Sequence, residues 1–163
     1  MCIRDRFPDT IAFPERLQDP QLELDFPPAI HSEVQDSFKS FHTLAYFSTT
    51  PRQMRFRESS LKQWIEKGAV MGMGTDSGTP MNFHTEALWR EIKAHVDTGM
   101  SPLRAISAAT QVNARILGRS SDLGTVELGK LADIIVVEGN PLFDITALSR
   151  VATVIKSGEV QKN

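Results

Sequence analysis

The chain has 163 residues, of which 40% are hydrophobic, so it is long enough for one ordinary domain or for parts of two. A net charge of −2 without a dense run of lysine and arginine argues against nucleic acid as an obligatory partner. The single cysteine, Cys2, excludes an internal disulfide and a cysteine-built metal site, and no apolar run reaches the length of a membrane span.

The N-terminal third is predicted to be largely irregular with one helix. Residues 1–6 have no apolar core and do not resemble a domain start, so we interpret them as an artefactual leader. Residues 7–28 are rich in proline and acidic side chains, which predicts an extended surface segment. Apolar residues three or four apart predict a helix over 30–47, and Thr49-Thr50-Pro51 is expected to break the chain after it.

The middle of the chain alternates predicted helix and strand. Residues 58–67 form an amphipathic pattern with Leu61, Trp64 and Ile65 on the inner face, and Gly68 is expected to end that helix. The apolar residues that follow predict a strand over 69–74 and then a loop. The clearest helical pattern covers 85–98 and is closed by Gly99.

The C-terminal part changes from helices to strands. Ser101-Pro102 is the pattern of an N-cap followed by proline at the first helical position, and it predicts short helices over 103–109 and 111–117. From residue 123 onward, β-branched runs at 134–137 and 151–155 alternate with glycine and proline turns. The whole chain is therefore predicted to be α/β, with strand–helix units followed by a small β module.

The stretch Gly72–Gly78 contains the strongest candidate for a functional residue. It places Asp76 where the predicted buried strand gives way to a loop, which is where α/β folds assemble their active sites. Taken alone, the pattern also fits an aspartate that caps a helix or a turn. A phosphate-binding loop fits less well, because the third glycine is off the dinucleotide spacing and Asp76 would direct negative charge at a phosphate.

His84 is a second candidate, eight residues after Asp76 on the loop that enters the helix 85–98. It could bind substrate or orient Asp76, and it could equally cap the helix or face solvent.

Three segments carry a resemblance to a known family. They are Gly74-Thr75-Asp76, then Ser101–Thr110 with Asn113–Gly118, and finally Leu123–Val137 with Asn140-Pro141-Leu142. In this order and spacing they resemble the metal-dependent amidohydrolases, close to the imidazolonepropionase-like branch. The resemblance implies a (β/α)8 TIM barrel with a small β-sandwich built from both chain ends.

Under this resemblance, residues 7–122 are the C-terminal portion of the barrel and residues 123–163 are the C-terminal strands of the sandwich. Because a barrel of this kind needs about 250 residues, we interpret the chain as the C-terminal fragment of a longer enzyme, inactive by itself.

The resemblance also implies a reaction, which is hydrolysis of a carbon–nitrogen bond in a small amide or cyclic amide by metal-activated water. Asp76 corresponds to the aspartate of the last barrel strand and would both ligate the metal and act as general base. His84 would contact substrate. The expected cofactor is a divalent metal, with zinc the leading ion and one or two ions in the intact parent. The family's His-x-His pair does not occur in this sequence.

A different function class stays open at this point. The chain could be a non-catalytic α/β module that binds a partner by adding a strand to an exposed sheet edge. A coding sequence upstream that encodes a His-x-His strand would favour the enzyme, and its absence would favour the module. The sequence leaves homo-oligomerisation open, does not specify the substrate, and gives only the cytoplasm as a default location.

Overall fold

Helices dominate the described residues up to 118, and a small antiparallel sheet follows them. The structure is a computed structural model, and it describes residues 20–40, 43, 45–77 and 86–162. Its elements are α1 (Pro20–Asp25), α2 (Pro28–Ser40), α3 (Ala45–Glu66), α4 (Ala87–Asp97), α5 (Pro102–Ser107), a π-helical segment (Ala108–Val112), α6 (Asn113–Ile116), β1 (Ile134–Val137), a 3-10 helix (Ile145–Ser149), β2 (Val151–Lys156) and β3 (Glu159–Lys162). None of the helices within these ranges combines the length and the apolar character needed to cross a membrane.

Proline has a different effect in the N-terminal part from the one predicted. Helix α1 lies inside the segment 7–28 that was expected to be irregular, and both α1 and α2 begin at a proline, Pro20 and Pro28. A proline at the first helical position removes an N–H group that has no intrahelical partner anyway. The predicted break at Thr49-Thr50-Pro51 is also wrong, because α3 runs through it. There the proline removes one internal hydrogen bond without ending the helix.

The C-terminal half of α3 supplies part of the core. Leu61 and Ile65 are buried as predicted, whereas Trp64 is 54% exposed and does not face inward. The N–H of Gly68 donates to the carbonyl of Ile65, and the N–H of Ala69 donates to that of Trp64. With Gly68 at φ +69°, these two bonds form a Schellman motif, which confirms the predicted end of the helix.

The predicted strand over 69–74 is not observed. Within the described residues, 69–76 belong to no strand ladder, and Ser77 makes only an isolated bridge. A strand requires the backbone of a neighbouring strand, and the sheet of the described residues does not include this segment. Side chains from the helices after Met100 bond to its backbone groups at Ala69 and Met73.

The two short helices predicted over 103–109 and 111–117 form one continuous helical stretch. The side chain of Ser101 accepts a hydrogen bond from the N–H of Arg104 at 3.4 Å, as expected of an N-cap. Residues between α5 and α6 adopt π-helical geometry rather than a break. Gly118, at φ +68°, follows the last turn.

The sheet has the order β1-β2-β3 with both pairs antiparallel. Strands β1 and β2 confirm the two predicted β-branched runs, and Ile134 lies opposite Ile155. Strand β3 was not predicted. It follows a two-residue turn in which Ser157 and Gly158 both have positive φ, 52° and 86°, as a type I′ hairpin requires.

A single cluster of buried apolar side chains ties the helical part to the segment 69–77. Its members come from α3, that segment, α4, the connection between α4 and α5, α5, the π-helical segment and the 3-10 helix: Leu61, Ile65, Met73, Ile92, Met100, Ala105, Ala108 and Ile145. Met73 therefore fixes the segment that carries Asp76 against the core.

The carboxylate of Asp133 joins the start of β1 to the β2–β3 hairpin. Its Oδ1 accepts the N–H of Ser157 at 2.8 Å, and its Oδ2 pairs with the Nζ of Lys156. The hydrogen bond from Lys156, followed by that from the Ser157 N–H, holds the pKa of Asp133 below its ordinary value.

We predict that this carboxylate makes the stability of the sheet depend on pH. Because the folded pKa is lowered, the stabilisation is present above the ordinary carboxyl pKa of about 3.9 and is lost as the pH falls through the folded value. Asp133→Asn should lower the thermal midpoint at pH 7, and its difference from wild type should narrow below about pH 4. Glu159→Gln, an exposed carboxyl in the same hairpin, is the control. A constant difference across this pH range would contradict the assignment.

Candidate active site

Asp76 is an exposed residue that follows the buried part of its segment. Met73, three residues earlier, is 6% exposed, while Asp76 is exposed and has φ +49°. Aspartate and asparagine tolerate this left-handed conformation better than most residues. The hydroxyls of Thr75 and Ser77, which flank Asp76, lie 2.6 Å apart and hydrogen-bond each other. The segment therefore places an exposed carboxylate three residues after a side chain that is buried in the core.

Arg104, in α5, fastens the beginning of this segment. Its Nη1 donates to the carbonyl of Ile65 at 3.0 Å, and its Nη2 donates to that of Ala69 at 2.8 Å. These carbonyls lie at the C-terminal end of α3 and just after it, where a positive charge is favourable. The guanidinium of Arg104 thus fixes the course of the backbone from the end of α3 into the segment 69–77.

Asn113, the first residue of α6, fastens the same segment closer to Asp76. Its Oδ1 accepts the N–H of Met73 at 3.0 Å, and its Nδ2 donates to the carbonyl of Met73 at 2.7 Å. Nδ2 also donates to the carbonyl of Ala109 at 3.3 Å. One side-chain amide thereby uses both backbone groups of one residue, as an opposite residue in an antiparallel ladder does. We call the two bonds to Met73 the Asn113 clamp.

Gly72 leaves the space that the Asn113 clamp occupies. A Cβ at position 72 would lie 2.4 Å from the Oδ1 of Asn113 and 2.6 Å from the Cδ1 of Ile116. A Cβ at Gly74 would meet nothing within 4 Å. Neither glycine has a positive φ, so the two positions differ in space and not in backbone conformation.

The π-helical segment between Arg104 and Asn113 changes the direction in which these side chains leave the helix. Nine residues of regular α-helix are about two and a half turns, which would put the two residues on opposite sides. The π-helical geometry of Ala108–Val112 uses more residues per turn and reduces that angle. Both side chains can then reach the segment 69–77.

His84, the second predicted site residue, lies outside the described residues. The structure shows Arg104 and Asn113 in contact with the segment that carries Asp76, and Gly72 leaving room for Asn113. None of these three had been assigned this role from the sequence. An asparagine inside a helical stretch is itself a signal, because its side chain competes for backbone groups and is unfavourable there without a compensating partner.

A sequence model of the amidohydrolase family matches residues 57–160, which include Asp76, Arg104 and Asn113. The chain belongs to the amidohydrolase family. This confirms the resemblance drawn from the sequence.

Individual enzymes are similar to about two thirds of this chain. An imidazolonepropionase from Clostridium tetani is 30% identical over 103 residues, which are 61% of this chain and 24% of that enzyme. A solved Xaa-Pro dipeptidase with methionine bound in its active site is 37% identical with a TM-score of 0.61, and the match covers 66% of this chain and 26% of that one. For phenylurea hydrolase B the identity is 30%, the TM-score 0.58 and the coverages 64% and 26%.

The chain spans about a quarter of the length of the curated relatives it matches. The amidohydrolase structures that it resembles imply a TIM-barrel-type fold. Its own described residues are α/β with a small antiparallel sheet.

Asp76 suits a metal as one ligand and cannot form a site by itself. An exposed carboxylate offers oxygen donors that divalent metals accept. In the part of the chain that the structure describes, however, no three His, Cys, Asp or Glu side chains come together as a metal site. Any metal held by Asp76 needs further ligands from residues outside that part.

We therefore predict that the isolated chain binds zinc weakly and without defined stoichiometry, because catalytic zinc sites have three protein ligands. Calorimetric titration of the purified chain with zinc should give shallow heats that do not saturate at one equivalent. The same titration of Asp76→Asn is the control and should differ little. One tight equivalent of zinc that is lost in this variant would contradict the prediction.

Proposed function

We propose that this chain is the C-terminal part of a longer amidohydrolase that hydrolyses a carbon–nitrogen bond in a small amide or cyclic amide. The observation that carries the proposal is the placement of Asp76. It is an exposed carboxylate, three residues beyond a core-anchored residue, inside the region matched by the family. The similarity to an imidazolonepropionase supports a cyclic amide as the first substrate class to test.

In this proposal residues 7–122 belong to the barrel and residues 123–163 to a β-sandwich completed by other parts of the longer chain. The segment 69–74 is then the last barrel strand, and its ladder partners are strands outside this chain. That arrangement accounts for the irregular form of 69–76 in the structure. It would also leave the chain inactive alone, since the other ligands and the substrate loops lie elsewhere.

The residues of this chain would transfer a proton from the attacking water and contact the substrate. A divalent metal, when bound with Asp76 among its ligands, supplies Lewis-acid activation of water and of the substrate carbonyl. One carboxylate oxygen of Asp76 accepts the proton that water loses as its oxygen attacks the substrate carbon. Asp76 then delivers that proton to the leaving nitrogen as the carbon–nitrogen bond breaks. His84 is proposed to contact the substrate from the following loop.

The test is an assay of the full-length enzyme that contains this chain. We expect it to hydrolyse a member of a panel of cyclic and linear amides, to lose this activity on chelation and to regain it with zinc. The control is the same enzyme carried through mock chelation. Activity that persists at full rate without metal would overturn the metal-dependent mechanism. A complete coding sequence without a His-x-His strand, together with inactivity on every amide, would instead favour the non-catalytic interaction module.

A further inference from the structure

We propose that Asn113 is a positioning residue for Asp76, acting through the backbone of Met73. The inference rests on the proposed function, because it assigns Asn113 a part in the reaction only if Asp76 is the metal ligand and general base. Asn113 lies 40 residues further along the chain than Met73 and has no part in the proposed chemistry itself.

The geometry of the clamp supports this role more than a general packing role. Its two bonds hold both polar groups of one residue, so they fix the orientation of the peptide planes on either side of Met73 as well as its position. The bond from Nδ2 to the carbonyl of Ala109 holds the amide itself in one rotamer. A three-residue extension spans about 10 Å at most, so a rotation of the backbone at Met73 is carried directly to Asp76.

The requirement for such control is large at a catalytic carboxylate. Productive sites hold their reacting groups within about 0.5 Å and 10–20°. Asp76 is itself exposed, and its left-handed φ changes the direction of the backbone soon after the clamped residue. Its position depends on the residues before it, and of the two side chains that bond to the backbone of this segment, Asn113 does so nearer to Asp76 than Arg104.

Arg104 provides a matched comparison. It also donates two hydrogen bonds to backbone carbonyls, but they end at Ile65 and Ala69, further from Asp76 than Met73 is. If the distance from the Asp76 carboxylate decides whether a substitution affects catalysis, loss of the Arg104 side chain should lower stability without changing kcat or zinc affinity. Loss of the Asn113 side chain should lower stability and also change kcat and zinc affinity.

The experiment compares Asn113→Ala, Asn113→Asp and Arg104→Gln in the full-length enzyme. For both Asn113 variants we expect kcat to fall about 10- to 100-fold with KM little changed, and zinc affinity to weaken about 10- to 100-fold. Asn113→Asp keeps the volume and the acceptor but loses the donor, and it places a carboxylate oxygen against the Met73 carbonyl. Arg104→Gln should retain kcat and zinc affinity while its midpoint of urea unfolding decreases.

A second background separates this inference from the proposed function. In Asp76→Asn, adding Asn113→Ala should cause no further loss of zinc affinity, because the effects of residues that act as a unit are not additive. The positioning role is overturned if folded Asn113 variants keep normal kcat and zinc affinity, or if Asn113→Ala weakens zinc binding equally in Asp76→Asn. It is also overturned if Arg104→Gln lowers kcat and zinc affinity as much as Asn113→Ala does. Failure of even the near-isosteric Asn113→Asp to fold would overturn it as well. If Asp76→Asn alone retains turnover, the proposed function is what fails.

Discussion

Replacing Asp76 with asparagine in the full-length enzyme is expected to abolish turnover and leave the fold intact. Asn keeps the volume and an oxygen, and it tolerates the left-handed φ of +49° found at this position. It lacks the negative charge and the basicity, so the attacking water has no base, a role worth about 10²- to 10⁴-fold in rate. Weaker metal ligation should add to this loss.

The measurement is kcat at saturating zinc, with metal content and thermal midpoint determined on the same samples. Asp97→Asn is a matched control, because Asp97 is an exposed carboxylate at the end of α4 and lies away from Asp76 in sequence. His84→Ala should have a smaller effect than Asp76→Asn and should leave the metal bound. Near-normal turnover by fully metallated Asp76→Asn would make this carboxylate a structural cap and remove the proposed mechanism.

The second large effect is expected from Gly72→Ala. The added methyl group would collide with the amide of Asn113 and the terminal methyl of Ile116, at 2.4 and 2.6 Å. Overpacking of this kind costs about 1–3 kcal/mol, and displacement of Asn113 would also break the bonds to Met73, each worth about 1 kcal/mol.

Gly74→Ala is the control for this prediction because it adds the same methyl group two residues away in open space. Its free energy of unfolding should change by no more than about 0.5 kcal/mol. Urea unfolding of the full-length enzyme and both variants measures the difference. Equal destabilisation by the two substitutions would show that the contact with Asn113 does not decide the cost.

Glycines in the sequence predicted the ends of the helices before Gly68 and Gly99, whereas the helix predicted over 30–47 ends at Ser40 and the next begins at Ala45. Gly68, Gly99 and Gly118 all follow helices and all have positive φ, because a left-handed residue after the last turn is a requirement set within a few residues. The N-cap at Ser101 was equally local. Proline was misread at positions 20, 28 and 51, since its effect depends on where in the helix it falls and not on its presence.

Long-range features were beyond the reach of periodicity. Apolar residues at 69–74 predicted a strand, but the ladder that defines a strand depends on neighbours that a local pattern does not contain. The family resemblance singled out Asp76 as the candidate metal ligand. The family match confirms the resemblance, while the role of Asp76 stays a prediction. The contacts of Asn113 and Arg104 with the segment 69–77 could not be predicted, because each joins residues some 35 to 40 positions apart.

Both bonds of the Asn113 clamp end on the main chain of Met73, and this has a consequence for how relatives should vary. Position 73 can accept any apolar side chain that fits the core, since the clamp makes no demand on its chemistry. Positions 72 and 113 constrain each other, because only a residue without a Cβ leaves room for the amide. Among homologues we expect these two positions to covary. A short peptide ending in Gly-Thr-Asp would then be diagnostic only when a paired asparagine follows at the corresponding distance.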